Sequence, residues 1–184
     1  MPVLKVICQE HIHCAQNSAG KYQDDDALHD VLAYCGRYGK ASCVDGTGIY
    51  PPNAIYEMER LAQAYGQARG VRLRHWMLSF SKEEVRKIIR KSLPTMLHHF
   101  GWYAASYYGG QYQIVFAIHL DSDNPHIHFV MNTVNYRTGK KYPGDKADYY
   151  RYQQYLSDFF GGYGMILMAA SDQPPAQIPQ VLDA

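Results

Sequence analysis

The side chains with the clearest chemical potential are three histidines in one short stretch, His119-Leu-Asp-Ser-Asp-Asn-Pro-His126-Ile-His128. On an extended chain the side chains alternate, so His126 and His128 share one face while Ile127 and Phe129 take the other. The connection between His119 and His126 contains Ser-Asp-Asn-Pro, a strong turn signal. A simple hairpin through it sets His119 opposite His126, and cross-strand neighbours share a face. The same register puts Ile114, Phe116 and Ile118 together with Ile127, Phe129 and Met131 on the reverse side. Three convergent imidazoles suit a divalent ion and leave coordination positions open, which is the arrangement of a catalytic rather than a closed structural site. Asp121 is available to support a ligand from behind. The competing reading is three independent polar residues on a solvated sheet face. The other His-Ile-His, at 11–13, has only Glu10 and Cys14 as nearby ligand types and reads as a structural or surface feature.

Positioning such a site needs a sheet and supports. Residues 111–121 and 126–136 read as the two hairpin strands, rich in β-branched and aromatic residues. PVLKVIC (2–8) and RLRHWMLSF (72–80) read as further strands, and GMILMAA (164–170) as a last one. Asp24, Asp25 and Asp26 supply start signals for a helix through ALHDVLAYCGRY, closed by Gly36 and Gly39. The glycine-rich turn DGTGIYPPN precedes a helix from Ala54, where Ile55, Met58, Leu61, Ala62 and Tyr65 recur at helical spacing. Ser81 and Glu84 form a capping-box pattern opening the helix KEEVRKIIRKSL. Pro94 kinks or ends it, with a second piece running to His99. DYYRYQQYLSDFF (148–160) is a helix, and the proline-rich residues 171–184 read as a linker-like tail after a single domain over 1–170. The order is mixed, so the expected fold is α+β with helices on one sheet face.

Composition narrows the field. The chain has 184 residues, 47% apolar and 19% charged, with a net charge of +1. That is a usual size for one domain with its own core. No apolar run approaches the ~18 residues of a membrane span, and MPVLKVICQEHIHC lacks the pattern of a signal peptide. Membrane insertion is therefore not expected. Cys8, Cys14, Cys35 and Cys43 make no CxxC pair and read as reduced thiols of a cytoplasmic protein. The net charge averages acidic segments at 24–26 and 121–123 with basic ones at 82–91 and 137–146, so a polyanion would meet local clusters. Lys82, Arg86, Lys87, Arg90 and Lys91 make one face of a predicted helix, which would equally serve as a solvated face. Arg137, Lys140, Lys141 and Lys146 flank the hairpin in sequence and are candidate phosphate contacts. Tyrosine is abundant, 17 residues, and Tyr107, Tyr108, Tyr149, Tyr150 and Tyr152 could stack unpaired bases or cover a core.

The pattern from His119 through Asp121, Asn124, His126, His128 and Asn132, followed by Asn135-x-x-Thr-Gly-Lys-Lys-Tyr142, resembles the third motif of P-type relaxases. These are HUH endonucleases that start transfer of conjugative and mobilisable elements. Arg74 to Glu84 and Asn53 to Met58 resemble segments upstream of that motif, and the likeness covers roughly residues 25–168. It implies a central antiparallel sheet flanked by helices, a divalent metal (Mg²⁺ or Mn²⁺, with Zn²⁺ acceptable) on His119, His126 and His128, and a tyrosine nucleophile ahead of the histidines. The first motif of the family resembles Tyr34-x5-Lys40. Tyr34 is the indicated nucleophile and Tyr38, four residues on, the alternative. Lys40 then joins the candidate DNA contacts.

The resemblance further implies site- and strand-specific nicking and rejoining of single-stranded DNA at an origin of transfer through a 5′-phosphotyrosine. Accessory DNA-binding and coupling proteins would be the partners. Asp121 or His75 could orient a ligand or accept the phenolic proton, and Asp121 is the better placed by sequence. Alternatives are a rolling-circle replication initiator, whose histidine pair usually precedes its tyrosine, a three-histidine zinc hydrolase, and a non-enzymatic nucleic-acid module with a structural metal.

Overall fold

The computed structural model describes residues 1–7, 26–36, 40–88 and 92–169. His11, His13, Cys8, Cys14, Asp24, Asp25, Tyr38, Arg90, Lys91 and the 171–184 tail lie outside the described residues. In chain order the strands are β1 (Val3–Val6), β2 (Ala41–Thr47), β3 (Leu73–Ser79), β4 (Ile114–His119), β5 (His126–Asn132) and β6 (Met168–Ala169). The helices are α1 (Ala27–Cys35), α2 (Ala54–Ala64), α3 (Lys82–Ile88), α4 (Leu93–Gly109) and α5 (Lys146–Gly161). The strands form one six-stranded sheet ordered β2-β4-β5-β3-β1-β6. All pairs are antiparallel except β1 with β6. The fold is α+β.

Helices cover both sheet faces, not one. Every residue of β4 is buried, as are all of β5 except the half-buried His126. One face carries Trp76, Leu78, Phe116, Ile118, Ile127 and Phe129, packed against Phe100 and Ala104 of α4 and Leu156 and Phe160 of α5. The other carries Leu73, Val115, Ala117 and Val130, packed against Val31 and Leu32 of α1 and Met58 of α2. The apolar Val115, Ala117 and Val130 on the histidine side are what a second helical layer requires, since a solvated face would alternate into polar residues. Each fully buried phenylalanine contributes on the order of 1.5–3 kcal/mol relative to exposure.

Two further expectations change. Residues 41–47 form edge strand β2, where the sequence suggested only a connection and a glycine-rich turn. Ala, Ser, Cys, Asp and Gly give weak strand propensity there, and pairing with β4 supplies the hydrogen bonds that propensity does not. The helix expected to stop at His99 runs to Gly109. Pro94 sits in the first turn of α4 behind an extended Ser92, where its missing N–H costs no hydrogen bond. The capping box forms as expected: the Ser81 amide donates to Glu84 Oε2 at 3.0 Å and the Glu84 amide donates to Ser81 Oγ at 3.3 Å. Asp145 caps α5 by accepting from the Asp148 amide at 2.6 Å.

Two roles are open to the clustered tyrosines, stacking bases or covering a core, and most of them serve the core. Trp76 stacks on Phe129 at 5.3 Å between centroids and donates from Nε1 to the Tyr152 hydroxyl at 3.0 Å. Tyr108 is buried beside it and donates to Asp148 at 2.8 Å. These rings lie on the face opposite the histidines, and of the group Tyr150 is exposed.

Gly101 lets α4 approach β4, since a Cβ there would stand 2.7 Å from the fully buried Phe116 ring. Gly101→Ala is expected to cost about 1–3 kcal/mol through overpacking. Urea denaturation should show a lower midpoint with an unchanged slope, and an unchanged midpoint would mean that the ring yields freely.

Candidate metal centre

The hairpin of β4 and β5 pairs His119 with His126 and Ala117 with His128. One ligand atom from each of the three histidines can be chosen so that all lie within 4.8 Å of one another. The ring centroids form a near-equilateral triangle with sides of 5.1, 4.9 and 4.9 Å. His119 and His128 are buried and His126 is half-buried at the sheet end.

Hydrogen bonds at the periphery fix which nitrogens remain available. His119 Nε2 lies 2.7 Å from the carbonyl oxygen of Cys35. A carbonyl only accepts, so that nitrogen is the donor and Nδ1 keeps its lone pair. His126 Nδ1 lies 3.1 Å from the Asn124 carbonyl oxygen, which by the same reasoning leaves Nε2 free to ligate. His128 Nδ1 lies 2.9 Å from His75 Nε2, while His128 Nε2 is buried with no hydrogen-bond partner among the described residues. An orphaned imidazole nitrogen in the midst of two other histidines is unfavourable for the protein alone and is satisfied by a cation. The donor set therefore fits a divalent metal.

The electrostatics point the same way. Burial pushes the His128 pKa down from 6.5 to about 3, with the neighbouring His75, His126 and His119 adding to the shift. Burial also lowers that of His126, opposed by the Asn124 carbonyl and by the charge of Asp121. Both rings are neutral near pH 7, the form that binds metal. The end of α1 faces the cluster, so its terminal carbonyls add negative potential where a cation would sit.

Tyr34, on the last turn of α1, is exposed and sets its ring edge-on to His128, 5.8 Å between centroids. Val31, Leu32 and Cys35 of the same helix are buried against the sheet, which fixes the face that carries Tyr34. Lys40 and Asp121 approach each other at 4.0 Å at the hairpin tip. Lys82 pairs with Asp123 at 2.8 Å, and Arg86 is exposed on α3.

Arg137, Lys140 and Lys141 lie elsewhere. They follow the far end of β5, and six strand steps separate His126 from Asn132, roughly 20 Å. Proximity in sequence does not bring them to the histidines. Arg137 and Lys140 are exposed there. Lys141 is half-buried, and its Nζ donates to the carbonyls of Arg69 and, at 2.9 Å, of Val71. The asparagines of the same stretch act locally. Asn132 donates to the Met58 carbonyl at 3.3 Å and to Gln113 at 2.9 Å, tying α2 to the sheet. Asn135 Oδ1 accepts from the amides of Arg137 and Thr138 and holds the turn.

One contributor escapes a reading of the sequence, and so does the partner of another. The carbonyl of Cys35 orients His119, a backbone role that no side-chain type announces. His75 reaches His128 because β3 pairs with β5, with Met77 opposite His128 and His75 on its diagonal. Alternation along 73–79 does place His75 on one face with Met77. It does not say which strand lies beside it.

Residues 34–164 match the family model described as relaxase, MobA/VirD2-like, nuclease domain. Among solved structures, a chain from work on the molecular basis of vancomycin resistance transfer in Staphylococcus aureus aligns with a TM-score of 0.46 at 11% identity, over 73% of this chain and 77% of that one. No curated protein matches the chain.

A depressed imidazole pKa carries a sign. Between pH 6.5 and about 3 the unfolded chain holds a proton on His128 that the folded one does not, so stability rises with pH across that window. The metal-free protein should lose stability steadily as pH falls from 6.5 towards 3. His128→Ala should flatten that slope in denaturant titrations at a series of pH values, and an equal slope in both proteins would contradict the assignment.

Proposed function

The chain belongs to the MobA/VirD2-like relaxase nuclease family, and from that premise we propose that it nicks and rejoins one DNA strand at an origin of transfer. The observation carrying this reading is the Tyr34 ring set against His128 beside a three-histidine cluster with an unpartnered buried nitrogen. In this reading His119, His126 and His128 hold a divalent cation, Mg²⁺ or Mn²⁺ in use and Zn²⁺ by affinity. When bound, it would withdraw charge from the non-bridging oxygens of the scissile phosphate and favour attack at phosphorus.

The protein groups do the rest. The phenol of Tyr34 attacks phosphorus and loses its proton to Asp121, the carboxylate at the hairpin tip beside Lys40. One P–O bond forms to tyrosine and the bond to the 3′ oxygen breaks. The 3′ oxygen leaves with the bonding pair and takes up a proton from water, so the products are a 5′-phosphotyrosine and a free 3′-hydroxyl. The linkage conserves the phosphodiester, so attack by a 3′-hydroxyl restores the strand and releases Tyr34. Attack by water would forfeit that reversibility, which is why a tyrosine serves here. His75 orients His128, and the Cys35 and Asn124 carbonyls orient His119 and His126. Lys40, Lys82 and Arg86 are the proposed phosphate contacts nearest the site. Arg137 and Lys140 would meet the same strand, or a paired segment of it, farther along the sheet.

The substrate is single-stranded DNA at an origin of transfer, and the partners are accessory DNA-binding and coupling proteins of a transfer apparatus in the cytoplasm. Among the described residues no helix is long and apolar enough to cross a membrane.

Single-stranded oligonucleotides tiled across the DNA flanking the coding sequence provide the test. With Mn²⁺ or Mg²⁺ one of them should yield a covalent protein–DNA adduct resolved on denaturing gels. Tyr34→Phe should abolish it, and His126→Ala should reduce it by at least two orders of magnitude, the usual worth of electrostatic stabilisation at a reacting oxyanion. Adduct formation that survives Tyr34→Phe and disappears in Tyr38→Phe would move the nucleophile to Tyr38.

A further inference from the structure

Behind the three-histidine cluster lies a second group of ligand types, Cys35, His75 and His128, all buried, with one ligand atom from each within 4.8 Å of the others. Cys35 Sγ is 3.7 Å from His75 Nε2, and His75 Nε2 is 2.9 Å from His128 Nδ1. Tetrahedral zinc with its usual bond lengths sets sulfur and nitrogen ligands about 3.6 Å apart and two nitrogens about 3.3 Å apart. The first spacing is already present, and the second needs His75 and His128 to part by a few tenths of an ångström. From this geometry we infer that Cys35, His75 and His128 form a second metal site, selective for a thiophilic divalent ion such as Zn²⁺, whose occupation empties the three-histidine site.

The selectivity follows from the sulfur. Thiolate with imidazole suits Zn²⁺ and Co²⁺, whereas Mg²⁺ and Mn²⁺ prefer oxygen donors. As the metal–sulfur bond forms, the Cys35 thiol proton passes to solvent.

The exclusion follows from His128. A neutral imidazole has one ring lone pair available for a σ bond to metal. With the proton on Nδ1, donated to His75, Nε2 is the ligating atom and serves the cluster with His119 and His126. When Nδ1 binds the second ion, the proton moves to Nε2 and His128 is lost to the first site. The existence of the second site is independent of the relaxase reading; the exclusion rests on the three histidines holding an ion.

Optical titration of the full-length protein with Co²⁺ tests the site. Wild type should develop a sulfur-to-cobalt charge-transfer band that three histidines cannot produce. His126→Ala should retain the band and Cys35→Ser should lose it, with circular dichroism checking that each variant is folded. His75→Phe provides a second route and should weaken Co²⁺ binding at this site at least tenfold. Absence of the band in wild type, or its persistence in Cys35→Ser, overturns the site. Mn²⁺ binding followed by electron paramagnetic resonance tests the exclusion. Wild type loaded with one equivalent of Zn²⁺ or Co²⁺, the latter showing the full charge-transfer band, should bind no Mn²⁺, whereas the metal-free protein should bind it. Mn²⁺ bound alongside a zinc-filled thiolate site overturns the exclusion. Failure of the zinc-free protein to bind Mn²⁺ overturns the three-histidine reading and leaves the thiolate site to be judged by its own band.

Discussion

The antiparallel register of β4 and β5 is the constraint on which the site depends. Pairing His119 with His126 sets three imidazoles on one face and, in the same step, sends Phe116, Ile118, Ile127 and Phe129 into the opposite core. A slip of one residue would exchange the two sets, burying histidines among α4 and α5 and forcing phenylalanines into the smaller layer under α1 and α2. The apolar residues thus enforce the geometry of the polar ones. Fully buried rings resist that exchange far more strongly than hydrogen bonds among histidines could.

A second layer of control comes from α1. Its inward face, Val31, Leu32 and Cys35, packs on the sheet. Packing one helix therefore positions a carbonyl for His119, a thiol for His75 and an exposed phenol over His128. Three chemical groups with different requirements are set by one docking event. The reverse face of the sheet, with its Trp76, Phe129, Tyr108 and Tyr152 layer, supplies rigidity without touching the chemistry.

His128 stands where these layers meet. It is buried and neutral, bonded through one nitrogen to His75 and left open at the other. Such a ring is costly for a folded chain to keep without a cation, and local polar groups do not resolve the cost. Functional sites often depart in this way from full hydrogen-bond satisfaction.

The sequence by itself determined the hairpin, its register and the convergence of His119, His126 and His128, because strand alternation and a short turn are local rules. It also determined most elements, since signals such as the Ser81–Glu84 capping box act within a few residues of the ends they cap. The order of strands, the second helical layer and edge strand β2 were decided only by tertiary structure. Their stabilising contacts join residues far apart in the chain, as when Cys35 meets His75 or Gly101 admits Phe116. The same limit explains Arg137 and Lys140, close to the histidines in sequence yet a full strand length away in space. Side-chain type and spacing disclose what chemistry is available; which groups share one site is a property of packing.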